Sequence, residues 1–152
     1  MITTNLNVYL LLEKYCQKNN LNEYTSSQLS KIQCVDLYQN DLASEKTKIF
    51  SQINSDAENL EILDAWINVY HQNDFNELHD CSSEEYMSKC DFTGIIILDC
   101  GKNENLIIVD QQNQSQFFNI NPGQLYIINN QITRGLDTVK EKIITLVFML
   151  KS

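Results

Sequence analysis

The sequence predicts an α+β chain. A mainly helical N-terminal part, residues 1–58, precedes a β-rich part, residues 59–152, whose sheet closes as a sandwich or barrel. Three observations carry this reading. Apolar residues in the first part recur at helical spacing. From Glu61 onward, runs rich in Ile, Val, Phe and Tyr follow one another, each bounded by Asn, Asp, Gly or Gln. The 152 residues contain no long-period repeat and fit a single domain.

Leu6, Tyr9, Leu10 and Glu13 sit at helical spacing, and Lys14 and Lys18 suit a helix C-terminus, where the dipole favours cations. Asn19-Asn20 is the expected stop. Asn7–Leu12 reads alternatively as a strand, and Ile32–Tyr38 as a short one. Leu42, Ile49, Phe50 and Ile53 mark one face of a second helix over 42–54, with Asp41 or Ser44 as N-cap and Glu45 in the first turn. Asn54-Ser55-Asp56 ends it. Strands are expected near 62–70, 92–99, 105–110, 115–120, 124–129 and 142–150. In the first of these, Leu63, Ala65, Ile67 and Val69 alternate with Asp64, Trp66, Asn68 and Tyr70. One face is therefore aliphatic, and the other mixes aromatic and polar groups. Gly101-Lys102-Asn103 reads as a turn. Asn121-Pro122-Gly123-Gln124 predicts a type II turn, because Pro presets φ at its second position and Gly supplies the positive φ at its third.

Acidic residues outnumber basic ones by 20 to 11, for a net charge of −9. Such a chain repels phosphate backbones, so neither nucleic acid nor an anionic membrane is an expected partner. Asn and Gln together number 30, which reads as AT-rich coding (a low-GC bacterium, a phage or a large virus). Disorder is rejected, because the chain is 43% hydrophobic. No apolar run approaches the roughly 20 residues of a membrane span. No Lys or Arg precedes Lys14 and no small-residue cleavage site follows Leu12, so no secretory signal is expected. Five cysteines without a Cys-x-x-Cys pair fit a reducing compartment. The expected location is cytoplasmic, or the host cytoplasm for a viral protein. A homo-oligomer is compatible with this composition.

Histidine chemistry has only His71 and His79 to draw on, and Arg134 is the sole arginine. Zinc bound by His71, His79, Cys81 and Cys90 would be N/S ligation, but at spacings that match no standard pattern. No Gly-x-Ser-x-Gly elbow and no Gly-rich phosphate loop is present, so hydrolase and phosphate-loop chemistry lack support.

The β-rich part carries its motifs in a particular order. Trp66-Ile-Asn68 is followed by Asp74-Phe-Asn76 and His79-Asp-Cys81, then by Phe92-Thr-Gly94 and Pro122-Gly123. Thr133-Arg-Gly-Leu-Asp-Thr-Val139 and Lys142–Phe148 close the series. This order resembles the Fe(II)/2-oxoglutarate-dependent oxygenases, in their small bacterial and phage branch, from Glu61 to Leu150. The resemblance implies a double-stranded β-helix, a jelly-roll of cupin-like type, with the N-terminal helices packed on one sheet. It also implies a site. In that family two imidazoles and a carboxylate hold Fe(II) on one face and leave positions open for 2-oxoglutarate and oxygen. A basic side chain pairs with the cosubstrate's far carboxylate.

Carried over residue by residue, His79 matches the first ligand. The second ligand position is Cys81, with Asp80 as a substitute, and the distal histidine position is best matched by Thr133. The basic residue falls near Lys142 or Ile143; a lysine there offers only a point-charge contact. Asn68, Tyr126, Thr133, Arg134 and Lys142 are the expected pocket residues. Blander roles stand beside these: a loop residue for His79, a strand end for His71, a small half-buried side chain for Cys81, the surface for Arg134, and core packing for Trp66. Two of three ligands are changed, so the expectation is a degenerate oxygenase-like module. It needs no cofactor and acts by binding a protein or a small molecule. One alternative is an active dioxygenase that uses Fe(II) and 2-oxoglutarate at an unusual iron site. The other is a structural or interaction β-domain of a phage or virus.

Overall fold

The computed structural model describes residues 2–3, 8–16, 27–31, 37, 41–43, 61–80 and 90–151. The described strands are β1 (Ile2–Thr3), β2 (Ser27–Lys31), β3 (Glu61–His71), β4 (Asn76–His79), β5 (Phe92–Cys100), β6 (Asn105–Val109), β7 (Ser115–Asn119), β8 (Leu125–Asn129), β9 (Arg134–Leu136) and β10 (Lys142–Lys151). The described helix is α1 (Val8–Tyr15). A six-stranded sheet runs in the order β1-β8-β5-β10-β3-β2, and a four-stranded sheet in the order β4-β9-β6-β7. Every ladder is antiparallel. The two sheets form the expected jelly-roll.

All six expected strands are present, within a residue or two of their expected ends. Four short ones lack a sequence signal: β1, β2, β4 and β9. Asn76-Glu-Leu-His79 and Arg134-Gly-Leu136 have too few alternating apolar residues to announce a strand, and it is their pairing with each other that makes them one. The strand expected at Ile32–Tyr38 and the helix expected over 42–54 lie outside the described residues, apart from Leu37, Leu42 and Ala43.

The helix expected at the N-terminus is present, but a different face is buried. Val8, Leu11, Leu12 and Tyr15, at i, i+3, i+4 and i+7, pack against the outer face of the large sheet. Tyr9 and Leu10 face solvent. Tyr15 anchors this arrangement by donating its hydroxyl hydrogen bond to the Asp41 carboxylate, which also lies 3.2 Å from the Lys14 ammonium.

Strand alternation divides the core in two. Ala65, Ile67 and Val69 of β3, Ile96 and Leu98 of β5, Leu125 and Ile127 of β8, and Leu146 and Phe148 of β10 point outward, under α1. Tyr70, Ile97, Leu106, Ile120, Tyr126, Ile128, Leu136, Val139 and Ile143 fill the space between the sheets. The period of two, set in register across β3, β10 and β5, determines which residues can reach that interior.

The predicted 121–124 turn is present: Gly123 has φ 93°, and the Gln124 N–H donates to the Asn121 carbonyl at 3.3 Å. The turn joining β3 to β4 also needs a left-handed residue, which Asn73 supplies at φ 72°. Asp74 Oδ2 accepts from the His71 N–H at 2.7 Å, and the Asn73 N–H donates to the Val139 carbonyl at 2.8 Å. These bonds fix where β4 begins. No described helix is long and apolar enough to cross a membrane.

Candidate functional site

A cavity of about 110 Å³ opens between the sheets. The large sheet supplies Trp66, Asn68 and Tyr70 from β3, Thr93, Ile95 and Ile97 from β5, and Thr145 and Val147 from β10. The small sheet supplies Asn76 and His79 from β4, Leu106 from β6, and Arg134, Gly135 and Leu136 from β9. The three large-sheet strands contribute alternate residues, as their pleat requires.

His79 ends β4. Its Nδ1 lies 2.7 Å from the Glu77 carbonyl oxygen. A carbonyl only accepts, so Nδ1 is the donor in this contact. In the β4–β9 ladder the residue paired with His79 is Arg134. The two strands approach so closely that a Cβ on Gly135 would stand 2.6 Å from the Asn76 carbonyl oxygen, a contact that only glycine avoids.

Arg134 is 4% exposed, contrary to a plain surface role. Its Nη1 donates to the carbonyls of Asn129 at 3.3 Å and Ile132 at 3.1 Å. Its Nη2 donates to Thr93 Oγ1 at 2.7 Å and reaches Asn130 Oδ1 at 3.5 Å. The Thr93 hydroxyl in turn donates to Asn130 Oδ1 at 2.6 Å, and Asn130 Nδ2 donates to the Cys90 carbonyl at 2.8 Å. Hydrogen bonds thus hold the only guanidinium of the chain at the cavity wall.

Across the cavity, Tyr70 is hydrogen-bonded to the side chains of Asn76 and Asn68. Burial pushes its phenol above the usual tyrosine value, and the two amides partly oppose the shift. Tyr70 is therefore a neutral hydrogen-bonding group at ordinary pH.

Three sequence-derived site residues meet here: His79, Asn68 and Arg134. Tyr126, Thr133 and Lys142 do not line the cavity. Tyr126 lies on β8, the far side of β5 from β10 and β3, where it fills the inter-sheet core and donates its hydroxyl to Gln124 Oε1 at 2.9 Å. Thr133 precedes β9, and its carbonyl accepts from the Val109 N–H at 2.9 Å. Its neighbour Arg134 stands opposite His79 instead. Lys142 shares its parity on β10 with the outward residues Ile144, Leu146 and Phe148, and its ammonium lies 2.8 Å from the Asp99 carboxylate. Thr145 and Val147 are the β10 residues that reach the cavity. Asp80 is half-buried and not part of the lining, and Cys81 lies outside the described residues. His71 is a half-buried strand end away from the cavity.

Trp66, read from sequence as core packing, is a cavity wall. The mixed face of Trp66, Asn68 and Tyr70 was its available signal. Asn76, Thr93 and Thr145 were missed as site residues, because nothing in their local sequence announces an inward direction.

The two-histidine, one-carboxylate iron site does not fit the described lining. His79 is the only His, Cys, Asp or Glu in it, and the described residues contain no group of three such side chains able to hold a metal. Arg134 occupies the register position opposite His79 and directly follows Thr133, to which the resemblance assigns the distal histidine.

No protein-family model matches the sequence, and neither does any curated protein. Solved structures do match. An oxidoreductase of the 2OG-Fe(II) oxygenase family from Burkholderia pseudomallei aligns with a TM-score of 0.67 at 16% identity, over 84% of this chain. This chain spans only 62% of that protein's length. A Pseudomonas putida prolyl-4-hydroxylase aligns with a TM-score of 0.66 at 12% identity, over 99% of this chain and 92% of that one. A viral collagen prolyl hydroxylase from Paramecium Bursaria Chlorella virus-1, solved as its 2OG complex, gives a TM-score of 0.69 at 12% identity over 99% and 95%. The chain has the double-stranded β-helix fold of the Fe(II)/2-oxoglutarate-dependent oxygenases.

Proposed function

We propose that this chain is a degenerate oxygenase-like jelly-roll that runs no iron chemistry and acts by binding a small molecule between its sheets. The observation that most supports this is Arg134, in register with His79 and held at the cavity wall. A guanidinium stays charged at any ordinary pH. A positive charge in register with His79 disfavours a divalent cation at that imidazole. The pocket survives while the groups that would hold a metal are replaced. The net charge of −9 supports a partner other than nucleic acid.

The test is an anaerobic Fe(II) titration of the purified protein, with metal content and 2-oxoglutarate-dependent succinate measured side by side. The expected result is sub-stoichiometric iron and no succinate above the protein-free blank. Stoichiometric iron with succinate turnover refutes the proposal.

One observation favours a second reading. The Nδ1 of His79 on a backbone carbonyl, with Nε2 not engaged in that contact, is the arrangement of a metal-ligating histidine. In this reading His79 joins Asp80 or Cys81 in an unusual iron site of an active dioxygenase. The same titration separates the two readings.

A further inference from the structure

We infer that the cavity takes a small uncharged molecule with an amide or hydroxyl head and a short alkyl end, the head bonded to the Thr145 hydroxyl. This rests on the reading of the cavity as a binding site, and it names the ligand class.

An unspent hydrogen-bonding group gives the first argument. Thr145 is 3% exposed and lines the cavity from β10. Its parity is that of Ile143 and Val147, so its side chain faces the space between the sheets. Among the described residues its hydroxyl has no hydrogen-bond partner. Thr93, the other threonine of the lining, has its hydroxyl bonded to both Arg134 and Asn130. A buried hydroxyl left unbonded costs stability, and a ligand in the cavity would supply the missing bond. Asn68 is the residue paired with Thr145 on β3, and it also lines the cavity. Paired residues hold their Cβ atoms about 4.5–5.5 Å apart, so one head group reaches both. The Asn68 amide has hydrogen-bonding positions beyond the bond it makes with Tyr70.

Charge gives the second. Arg134 is the only Lys, Arg, Asp or Glu among the described lining residues. Its Nη1 is engaged by the Asn129 and Ile132 carbonyls, and its Nη2 by Thr93 Oγ1 and Asn130 Oδ1. The protein's own acceptors therefore occupy its terminal N–H groups, and an anion entering the cavity would gain no new charge-assisted bond from them. A cation would meet no carboxylate among the described lining residues. Either ion would lose its hydration without compensation, whereas a neutral head loses far less.

Size and polarity give the third. About 110 Å³ is somewhat less than the roughly 150 Å³ apolar cavity that accommodates benzene. That leaves room for about five or six heavy atoms. Two rows of residues cross the large sheet at the cavity: Asn68, Thr145 and Ile97 in one, Trp66, Val147 and Ile95 in the other. The rows lie about 7 Å apart, at two residues of strand rise, which is about the length of a molecule of that size. The first row carries the polar pair and the second is mainly apolar, so the head of one molecule meets Thr145 while its alkyl end meets Val147 and Ile95.

The test compares butyramide with butyrate, and 1-butanol with butylammonium, as ligands of the wild-type protein at pH 8, by calorimetry and by chemical-shift titration. Each pair has nearly the same shape and differs in charge. Each neutral compound is expected to bind about tenfold or more tightly than its charged isostere, with shift changes at Asn68, Thr145 and Val147. The tighter of the two neutral ligands names the head. Thr145→Val keeps the side chain's shape and removes the hydroxyl. It should weaken the neutral ligands about threefold to tenfold and leave the urea midpoint unchanged or raised, because no bond among the described residues is lost. Should Thr145→Val fail to fold, or its midpoint fall, the hydroxyl is not unspent and the inference is overturned. Unchanged affinity in that variant overturns the contact with Thr145. Binding of a charged compound as tight as that of its neutral isostere overturns the uncharged class, and no binding of either neutral compound overturns the inference outright. The iron and succinate measurements fail or succeed independently of all these outcomes.

Discussion

Thr93→Val tests whether the hydrogen-bond network behind the cavity holds Arg134 in place. The substitution keeps the side chain's shape and removes one hydroxyl. That hydroxyl accepts from Arg134 Nη2 at 2.7 Å and donates to Asn130 Oδ1 at 2.6 Å, and Thr93 is 2% exposed. A hydrogen bond to a charged group contributes about 1.5–3 kcal/mol and a neutral one about 0.5–1.5 kcal/mol. Removing both is expected to cost about 2–4 kcal/mol, because the site is too buried for water to replace them freely. In a chain of this length that lowers Tm by roughly 5–15 °C. Thr93→Ser keeps the hydroxyl and loses a methyl, so it should cost only about 1 kcal/mol. Urea denaturation of the wild type and both variants, with calorimetric Tm as a second measure, provides the assay. The Ser variant should lie nearer the wild type than the Val variant. If Thr93→Val stays within about 0.5 kcal/mol of the wild type, Thr93 does not anchor the guanidinium and the reasoning fails.

Four further outcomes are expected. Gly135→Ala forces a methyl against the Asn76 carbonyl oxygen, 2.6 Å away, and should lower stability by about 1–3 kcal/mol in urea denaturation; an unchanged midpoint would mean that β4 and β9 are not tightly apposed. Burial raises the phenol pKa of Tyr70 above its value in the unfolded chain, so its contribution is complete below about pH 10 and is lost as pH rises through the folded value; Tyr70→Phe should flatten the alkaline fall in stability, and an identical slope would contradict this. Burial pushes the thiols of Cys16 and Cys100 up to about 11 from 9.0, leaving roughly a hundredfold less thiolate, so alkylation at pH 8 should be much slower in the native protein than in urea at both sites, as read by mass spectrometry. Lys142→Ala breaks an exposed ion pair with Asp99, so it should shift stability by less than about 1 kcal/mol in urea denaturation; a loss of several kcal/mol would mean that the pair is more than a surface contact.

The fold was legible in the sequence because many residues encode it redundantly. On β3, Ala65, Ile67 and Val69 alternate with Trp66, Asn68 and Tyr70 within an eleven-residue strand, and β10 announces itself as a nearly unbroken apolar run between Lys142 and Lys151. Each further residue confirms the period, so chance agreement is small. Parity also gave Trp66, Asn68 and Tyr70 a common face before any partner was known. The site was less legible because its chemistry lies on the shortest strands. β4 has four residues and β9 has three, too few for a period to show. Their register comes from pairing with each other and from the turn at Asn73, so motif alignment alone could not show that Arg134 is the residue paired with His79. Lys142 was misplaced for a related reason: a shift of one residue along a strand turns a side chain to the opposite face.

The same parity also bears on why a cavity persists between the sheets. The walls belong to β3, β5 and β10, whose outward residues are committed to the core beneath α1. Sliding any of these strands to close the gap would carry Ile67, Ile96 or Leu146 out of that core and put polar neighbours in their place. Burying one such aliphatic side chain contributes about 1.5–3 kcal/mol, and a slip would forfeit several at once. The hollow is therefore a consequence of the ladder register and does not depend on a metal to hold it open. On the opposite sheet, β4 and β9 bring His79 and Arg134 to the lining. The Arg134 guanidinium is tethered there. It keeps a positive charge beside His79 and ties it to the loop at Asn129 and Ile132, which β8 already holds in place. The scaffold residues and the cavity persist together because the same registers specify both.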